Sequence, residues 1–342
     1  MKIVVLAGGN SSERDVSLSS GGMIYRAFRD NGHQAILLDV YLGYDGETDG
    51  IFEQDTDWAA QVGAVGEECP DLESLKALRG EGEKGFFGPH VLEICQKADC
   101  VFLALHGANG EDGRIQACFD LLGIPYTGAD FVGSCLAMDK GITKDLFRAY
   151  GIPTPRGFRQ KLGESEPGDI PYPRIVKTSC GGSSIGVCIA NDGSEYKKAM
   201  EEAFRYGDEV IVEEYIRGRE FSVGVIDGKA LPVIEMAPKE GFYDYRNKYQ
   251  AGTTVETCPA QIPGEKSSRM QEIAERVFAI LRLKSYARMD FIMGEDGEIY
   301  CLEANTLPGM TPTSLLPQEA AAAGMDFGQL CGEILKLVHN GR

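Results

Sequence analysis

Residues 285–309 read SYARMDFIMGEDGEIYCLEANTLPG, and this stretch decides how the chain is organised. Two apolar runs, 285–292 and 298–302, flank Gly294-Glu295-Asp296-Gly297, the composition of a tight turn between antiparallel strands. Asp290 falls at the end of the first run, and Glu303 and Asn305 leave the second, so hairpin pairing sets their oxygens side by side. Two carboxylates and an amide form a hard oxygen set without imidazole or thiolate, which suits magnesium bridging phosphates rather than zinc. Arg288 adds a fixed cationic fork at the same place. The plainer reading is an acidic hairpin tip in water. Polar residues alternating out of an apolar strand and running into Leu307-Pro308-Gly309 favour a site.

Upstream, residues 2–7 form a short apolar run that reads as a buried parallel strand rather than a signal peptide core. A polar turn at 8–12, a helix over 13–30 closed by Asn31-Gly32, and a strand over 34–40 complete the opening of an α/β sheet. Such sheets bind ligands beyond the carboxyl ends of their strands, where Glu13 lies. Residues 43–88 interrupt the rhythm: this segment is acidic, carries the only tryptophan, Trp58, and has one short helix over 72–78. A strand over 99–105 then leads into the glycine-punctuated loop 106–113 and a helix over 114–122. The expected organisation is an N-terminal α/β domain over 1–128, a central domain over 129–213 and a C-terminal domain over 214–342. A strand over 209–216 marks the passage between the last two.

With 342 residues, 43% hydrophobic and 25% charged, the chain is an ordinary globular protein. Its 34 basic against 52 acidic residues, a net charge of −18, disfavour nucleic acid and anionic membrane as partners. An anionic nucleotide must then depend on local lysines and metal. Ten cysteines without a Cys-x-x-Cys pair, several of them in apolar runs, fit a reducing cytoplasm.

Two further constellations carry chemistry. KTSCGGSSIG, residues 177–186, follows one apolar strand and precedes another, so it is a hairpin loop and not a phosphate loop opening a helix. Its backbone N–H groups can cover phosphates while Lys177 supplies a point charge. Glu213-Glu214-Tyr215-Ile216 ends a strand, a layout in which backbone groups and Ile216 meet an adenine edge and Glu220 accepts from ribose hydroxyls.

Taken in order, Lys140, Lys177, the Gly/Ser hairpin, the 213–216 strand and the Asp290, Glu303, Asn305 set resemble the ATP-grasp fold. Within that superfamily the chain resembles the D-alanine–D-alanine ligase family over nearly its whole length except 43–88. The most specific stretches are GGNSSERDVSLSSG (8–21), ALHGANGEDG (104–113), GSSIGV (182–187), FYDYRNKY (242–249) and EANTLPGMTPTSL (303–315).

The resemblance implies a role for each matching position. Glu13 would meet the ammonium of the first D-alanine and orient Ser183 and Tyr249. His106 would line that site. Lys140, Lys177 and Lys248 would hold the ATP phosphates, with Ser184 in the loop over them. Glu213, Glu214, Ile216 and Glu220 would take the adenosine. Asp290, Glu303 and Asn305 would bind two magnesium ions, with manganese as a substitute. Arg288 and the Gly309 N–H would face the oxyanion of the tetrahedral intermediate, and Ser314 with the Leu315 N–H would bind the second substrate's carboxylate. The implied protein is a homodimer acting on ATP and D-alanine in peptidoglycan precursor synthesis. Thr178, Cys180-Gly181 and Leu307 depart from common family residues. Leu307-Pro308-Gly309 also occurs in relatives that use D-serine or D-lactate as acceptor, which leaves that alternative beside D-alanine, while Tyr249 and Leu315 lean toward D-alanine. A silent nucleotide-binding regulator on the same fold is the alternative of another class.

Overall fold

The computed structural model describes residues 1–60, 62–63, 71–79, 85–182, 186–239, 253–311 and 313–338. Strand β1 (Lys2–Ala7) is wholly apolar past its first residue and lies between β2 (Gln34–Asp39) and β3 (Cys100–Leu103), all parallel. Helix α1 (Arg14–Asp30) crosses between the first two, and its Gly21 lets it press onto the sheet: a Cβ there would stand 2.7 Å from that of Ala7. The described part of 43–88 is anchored, because Ile51, Phe52, Ala59 and Leu75 enter this core and helix α2 (Leu72–Leu78) forms where expected. Helices α3 (Val91–Lys97), α4 (Arg114–Leu122) and α5 (Phe131–Met138) follow.

Helix α6 (Lys140–Ala149) leads into a four-stranded antiparallel sheet of β4 (Gly157–Lys161), β5 (Arg174–Thr178), β6 (Cys188–Ala190) and β7 (Glu209–Glu214), with helix α7 (Gly193–Ala203) on it. The spatial order is β4-β7-β5-β6, so the strand expected to mark the passage between domains is an inner member of the central sheet. Strands β5 and β6 pair antiparallel, which makes the Gly/Ser segment a hairpin loop as read from the sequence. Ala137, Phe147 and Ile152 pack instead into the apolar core of the third sheet, so residues 129–152 sit with the C-terminal part.

That third sheet contains β8 (Gly218–Ile226), β9 (Lys229–Ala230), β10 (Ile234–Pro238), β11 (Thr254–Thr257), β12 (Tyr286–Gly294) and β13 (Ile299–Asn305). Alternation splits its faces. Phe221, Val223, Val225, Met289 and Phe291 pack under helix α8 (Gly264–Ile280). Ser222, Gly224, Arg288 and Asp290 lie on the other face, toward helix α9 (Leu315–Ala322). A final helix, α10 (Phe327–Lys336), packs against α1 and closes the N-terminal core.

Candidate active site

The register of the hairpin sets Arg288 opposite Asn305 and Asp290 opposite Glu303, with a shift immediately after Asp290. Bulges of this kind re-aim side chains beside functional sites. Arg288 grips Asp290 with two parallel hydrogen bonds, Nε to Oδ1 at 2.9 Å and Nη2 to Oδ2 at 2.8 Å. Asn305 Nδ2 donates to Oδ2 at 3.1 Å, and Ser222 Oγ to Oδ1 at 3.0 Å. The lysines arrive from α6 and β5. Lys140 Nζ donates to the Gly181 carbonyl at 2.5 Å and stands 3.5 Å from Glu303, while Lys177 Nζ lies 2.7 Å from Glu213.

A second, fully buried lysine completes this group. Lys144 Nζ stands 2.8 Å from the other oxygen of Glu213 and donates to the carbonyl of Cys301 at 3.3 Å. Burial pulls Lys144 down to about 8 against the pull of Glu213, whose own carboxyl the two lysines hold at about 2 despite its burial. Glu213 therefore serves the lysines directly, its two oxygens divided between them.

Beside this group lies a cavity of about 460 Å³. Lys140, Lys177, Glu213, Glu214, Ile216 and Glu220 all border it, together with Asp290 and Glu303, so the described members of the expected nucleotide set come together. A smaller cavity of about 70 Å³ gathers Glu13, His106, Arg288, Gly309, Ser314 and Leu315. Gly182 and Glu303 line both, so the two cavities adjoin at the tip of the lysine hairpin. Gly182 rests on Glu13: a Cβ on it would lie 2.7 Å from Glu13 Oε2. Ser183, Ser184, Lys248 and Tyr249, with the whole of the 242–249 stretch, fall outside the described residues.

Three details differ from the sequence reading or add to it. Ser314 stands at the N-cap of α9 without capping it; its Oγ accepts from the Thr311 N–H at 3.0 Å instead. Leu307 is buried and a Cβ on Gly128 would meet its Cδ2 at 2.9 Å, so this side chain packs into the N-terminal core. Glu111, unremarked in the sequence, is half-buried near Glu13; it accepts from the Gly107 N–H at 2.7 Å and the Leu307 N–H at 3.4 Å. Burial and the neighbouring Glu13 carboxylate push it up to about 8, while burial lowers the His106 imidazole. The first cavity thus sets lysines among carboxylates, and the second holds acids beside one arginine.

The donor set fits magnesium. Among the described residues no three of His, Cys, Asp or Glu gather as a complete cage. Magnesium usually keeps waters and substrate phosphates, so one or two carboxylates such as Asp290 and Glu303 are the usual protein share.

Two family models match the chain, the D-ala D-ala ligase N-terminus over residues 2–129 and the D-ala D-ala ligase C-terminus over residues 147–336. The chain belongs to the D-alanine–D-alanine ligase family. These are ATP-dependent ligases that form a peptide bond. A D-alanine–D-alanine ligase of Pediococcus pentosaceus is 44% identical, covering 98% of this chain and 97% of that protein. One of Lacticaseibacillus casei is 42% identical over 98% and 95%. Among solved structures, the Bacillus anthracis ligase complexed with ATP has a TM-score of 0.74 at 30% identity, covering 98% and 97% of the two chains. The VanG D-Ala:D-Ser ligase of Enterococcus faecalis has 0.75 at 30%, covering 98% of each. The neighbours bear out the ATP-grasp architecture expected from the sequence.

Proposed function

We propose that the chain joins two molecules of D-alanine, using ATP to activate the first as an acyl phosphate. The adjoining cavities support this reading most directly, since phosphoryl transfer needs a nucleotide and a small carboxylate to meet at one point. The carboxylate oxygen of the first D-alanine attacks the γ-phosphorus and ADP leaves. Lys140 and Lys177 hold the phosphates, while Glu214, Ile216 and Glu220 take the adenosine. Asp290, Glu303 and Asn305 would hold magnesium, which when bound neutralises the charge of the transferring phosphoryl group.

Glu13 meets the substrate ammonium, and the neutral His106 lines that site. The amine of the second D-alanine then attacks the acyl carbon, expelling phosphate and losing a proton. Arg288 and the Gly309 N–H face the developing oxyanion, where one donor is commonly worth about a hundredfold in rate. The second carboxylate rests on the N-terminus of α9 at Ser314 and Leu315, where unpaired N–H groups favour anions. Acyl phosphates hydrolyse in water, which gives the hairpin bearing Ser183 and Ser184, and the loop bearing Lys248 and Tyr249, the work of closing the site.

We place the protein in a reducing cytoplasm. Its nine described cysteines are all unpaired, and among the described residues no helix is long and apolar enough to cross a membrane. Phosphate release measured with ATP, magnesium and a panel of D-alanine, D-serine and D-lactate tests the substrate, with D-alanyl-D-alanine as the expected main product. Only a trace of that dipeptide beside a dominant mixed product moves the assignment to another acceptor. Phosphate release no greater than that of Asp290→Ala makes the protein a silent nucleotide binder.

A further inference from the structure

Leu307 and Met310 bracket the Pro308-Gly309 step that carries the oxyanion N–H. Both side chains are buried in the apolar core around β1, β2 and β3, and not in the core under β12 and β13 from which the turn departs. The backbone of the turn is tied to the same N-terminal part of the chain. The Met310 N–H donates to Ser20 Oγ on α1 at 3.2 Å, and the Leu307 N–H donates to Glu111 Oε1 at 3.4 Å. The longer of these bonds is braced from behind, because the other oxygen of Glu111 accepts the Gly107 N–H at 2.7 Å. Ser20 is itself buried on the inner face of α1, where a hydroxyl needs a partner and finds one in this turn.

The turn is confined on its remaining side as well. A Cβ on Gly309 would lie 2.7 Å from Ser314 Oγ, so the step is held between the N-terminal core and the start of α9. Glu111, Arg288, Gly309 and Ser314 line one small cavity. Gly107, the second partner of Glu111, lies against Glu13: a Cβ there would stand 3.1 Å from Glu13 Oε2. A single carboxylate therefore joins the loop beside Glu13 to the turn that presents the oxyanion donor.

We propose that Ser20 and Glu111 are positioning residues for the Gly309 N–H: one on each side of the Leu307–Met310 turn, they aim that donor from the part of the chain that holds the first D-alanine. The role rests on the ligase reading above. Removing an oxyanion donor outright commonly costs about a hundredfold or more in rate, and loosening one of its two ties should cost about tenfold. A misplaced donor loses strength because it must sit within hydrogen-bond distance of an oxygen that becomes charged only as the amine attacks.

The second chemical step alone depends on that donor. Phosphoryl transfer makes a P–O bond at the substrate carboxylate and breaks the bond to ADP, with no oxyanion on carbon, whereas amine attack creates one. ATP carrying heavy oxygen in its β,γ-bridge separates the two steps. Return of the acyl phosphate and ADP to ATP scrambles the label into the β-phosphate, so scrambling with saturating D-alanine and magnesium reports the first step, and dipeptide release reports both. Ser20→Ala leaves the buried Met310 N–H without a partner, and Glu111→Gln places an amide nitrogen, which cannot accept, against one of its two N–H groups. In each variant of the full chain, dipeptide formation falls about tenfold while scrambling persists, so the ratio of scrambling to dipeptide rises by about that factor. A residue that merely supports the fold lowers both together. A ratio that stays constant or falls in either variant overturns the proposal. Should one variant not fold, the other decides alone by the same ratio. Wild-type protein that neither scrambles the label nor makes dipeptide defeats the ligase reading instead, which separates the two failures.

Discussion

The buried trio of Lys144, Glu213 and Lys177 joins α6, the four-stranded central sheet and β13, and Glu213→Gln breaks it with little change of shape. The ammoniums stand 2.8 Å and 2.7 Å from its two oxygens. Each contact is worth about 6 kcal/mol gross at an effective dielectric near 20, most of it offset by desolvation. The net figure follows from Glu213 itself. Its carboxyl is lowered from 4.5 to about 2, and at about 1.4 kcal/mol per pH unit that corresponds to about 3 kcal/mol. Breaking a buried pair by removing one partner costs about 3–5 kcal/mol. An upper bound comes from Lys144, already down to about 8: without its partner it can shed its proton, at a cost of about 5 kcal/mol at pH 7 relative to an unperturbed lysine. The thermal midpoint should therefore fall by about 4–7 °C at pH 7. The sign with pH is fixed. In the wild type, the depressed carboxyl gives stability that is present above about pH 4.5 and lost as pH falls toward 2, and the variant lacks it. In the alkaline direction the deficit shrinks as pH rises through 8 toward 10.5, where Lys144 is neutral in the folded state and its buried charge no longer counts. Circular dichroism melts at pH 7 and 9.5, with KM for ATP beside them, are the assay. A midpoint within 2 °C of wild type at pH 7, or a deficit that does not shrink at pH 9.5, refutes the argument.

Asp290→Asn should lower phosphate release by about a hundredfold or more, because a neutral amide cannot balance a divalent cation; chelation should stop release in the wild type and added magnesium restore it. Gly182→Ala places a methyl 2.7 Å from Glu13 Oε2 and should raise KM for D-alanine more than KM for ATP, measured by varying each at saturation of the other. Glu111, raised to about 8, contributes stability that is present below about pH 4.5 and lost as pH rises to 8. Glu111→Gln should flatten that decline, so melts at pH 5 and pH 8 should differ less in the variant than in the wild type.

Elements with a clear period or clear caps were legible in the sequence. Helix α1 begins and ends at its polar flanks, and α2 lies where its short run of leucines predicts, capped by Asp71 accepting from the Glu73 and Ser74 N–H groups. Helix α5 was missed because FVGSCLAM is apolar almost all round and carries no amphipathic stripe. Strands β9 and β10 are separate because Pro232, which lies between them, has no N–H to donate to a ladder. At the site, residues whose work is done by their own functional group were readable from type and spacing: Lys140, Lys177, Asp290 and Glu303. Lys144, Glu111 and Ser222 were not, since their meaning lies in burial and partners contributed by distant strands. A faint signal existed for the first, because Lys144 follows Lys140 by one helical turn.

A chain of net charge −18 that handles a triphosphate needs cations that long-range attraction does not supply. The site obtains them by keeping each near an acid: Lys177 against Glu213, Lys140 near Glu303, Arg288 on Asp290. Paired cations remain charged despite burial, and their orientation is set before substrate arrives, so little reorganisation is left for the moment of reaction. The same pairing explains why the acids outnumber what metal binding alone requires. Glu213 is spent on lysines, and Asp290 is shared between Arg288 and its proposed metal role.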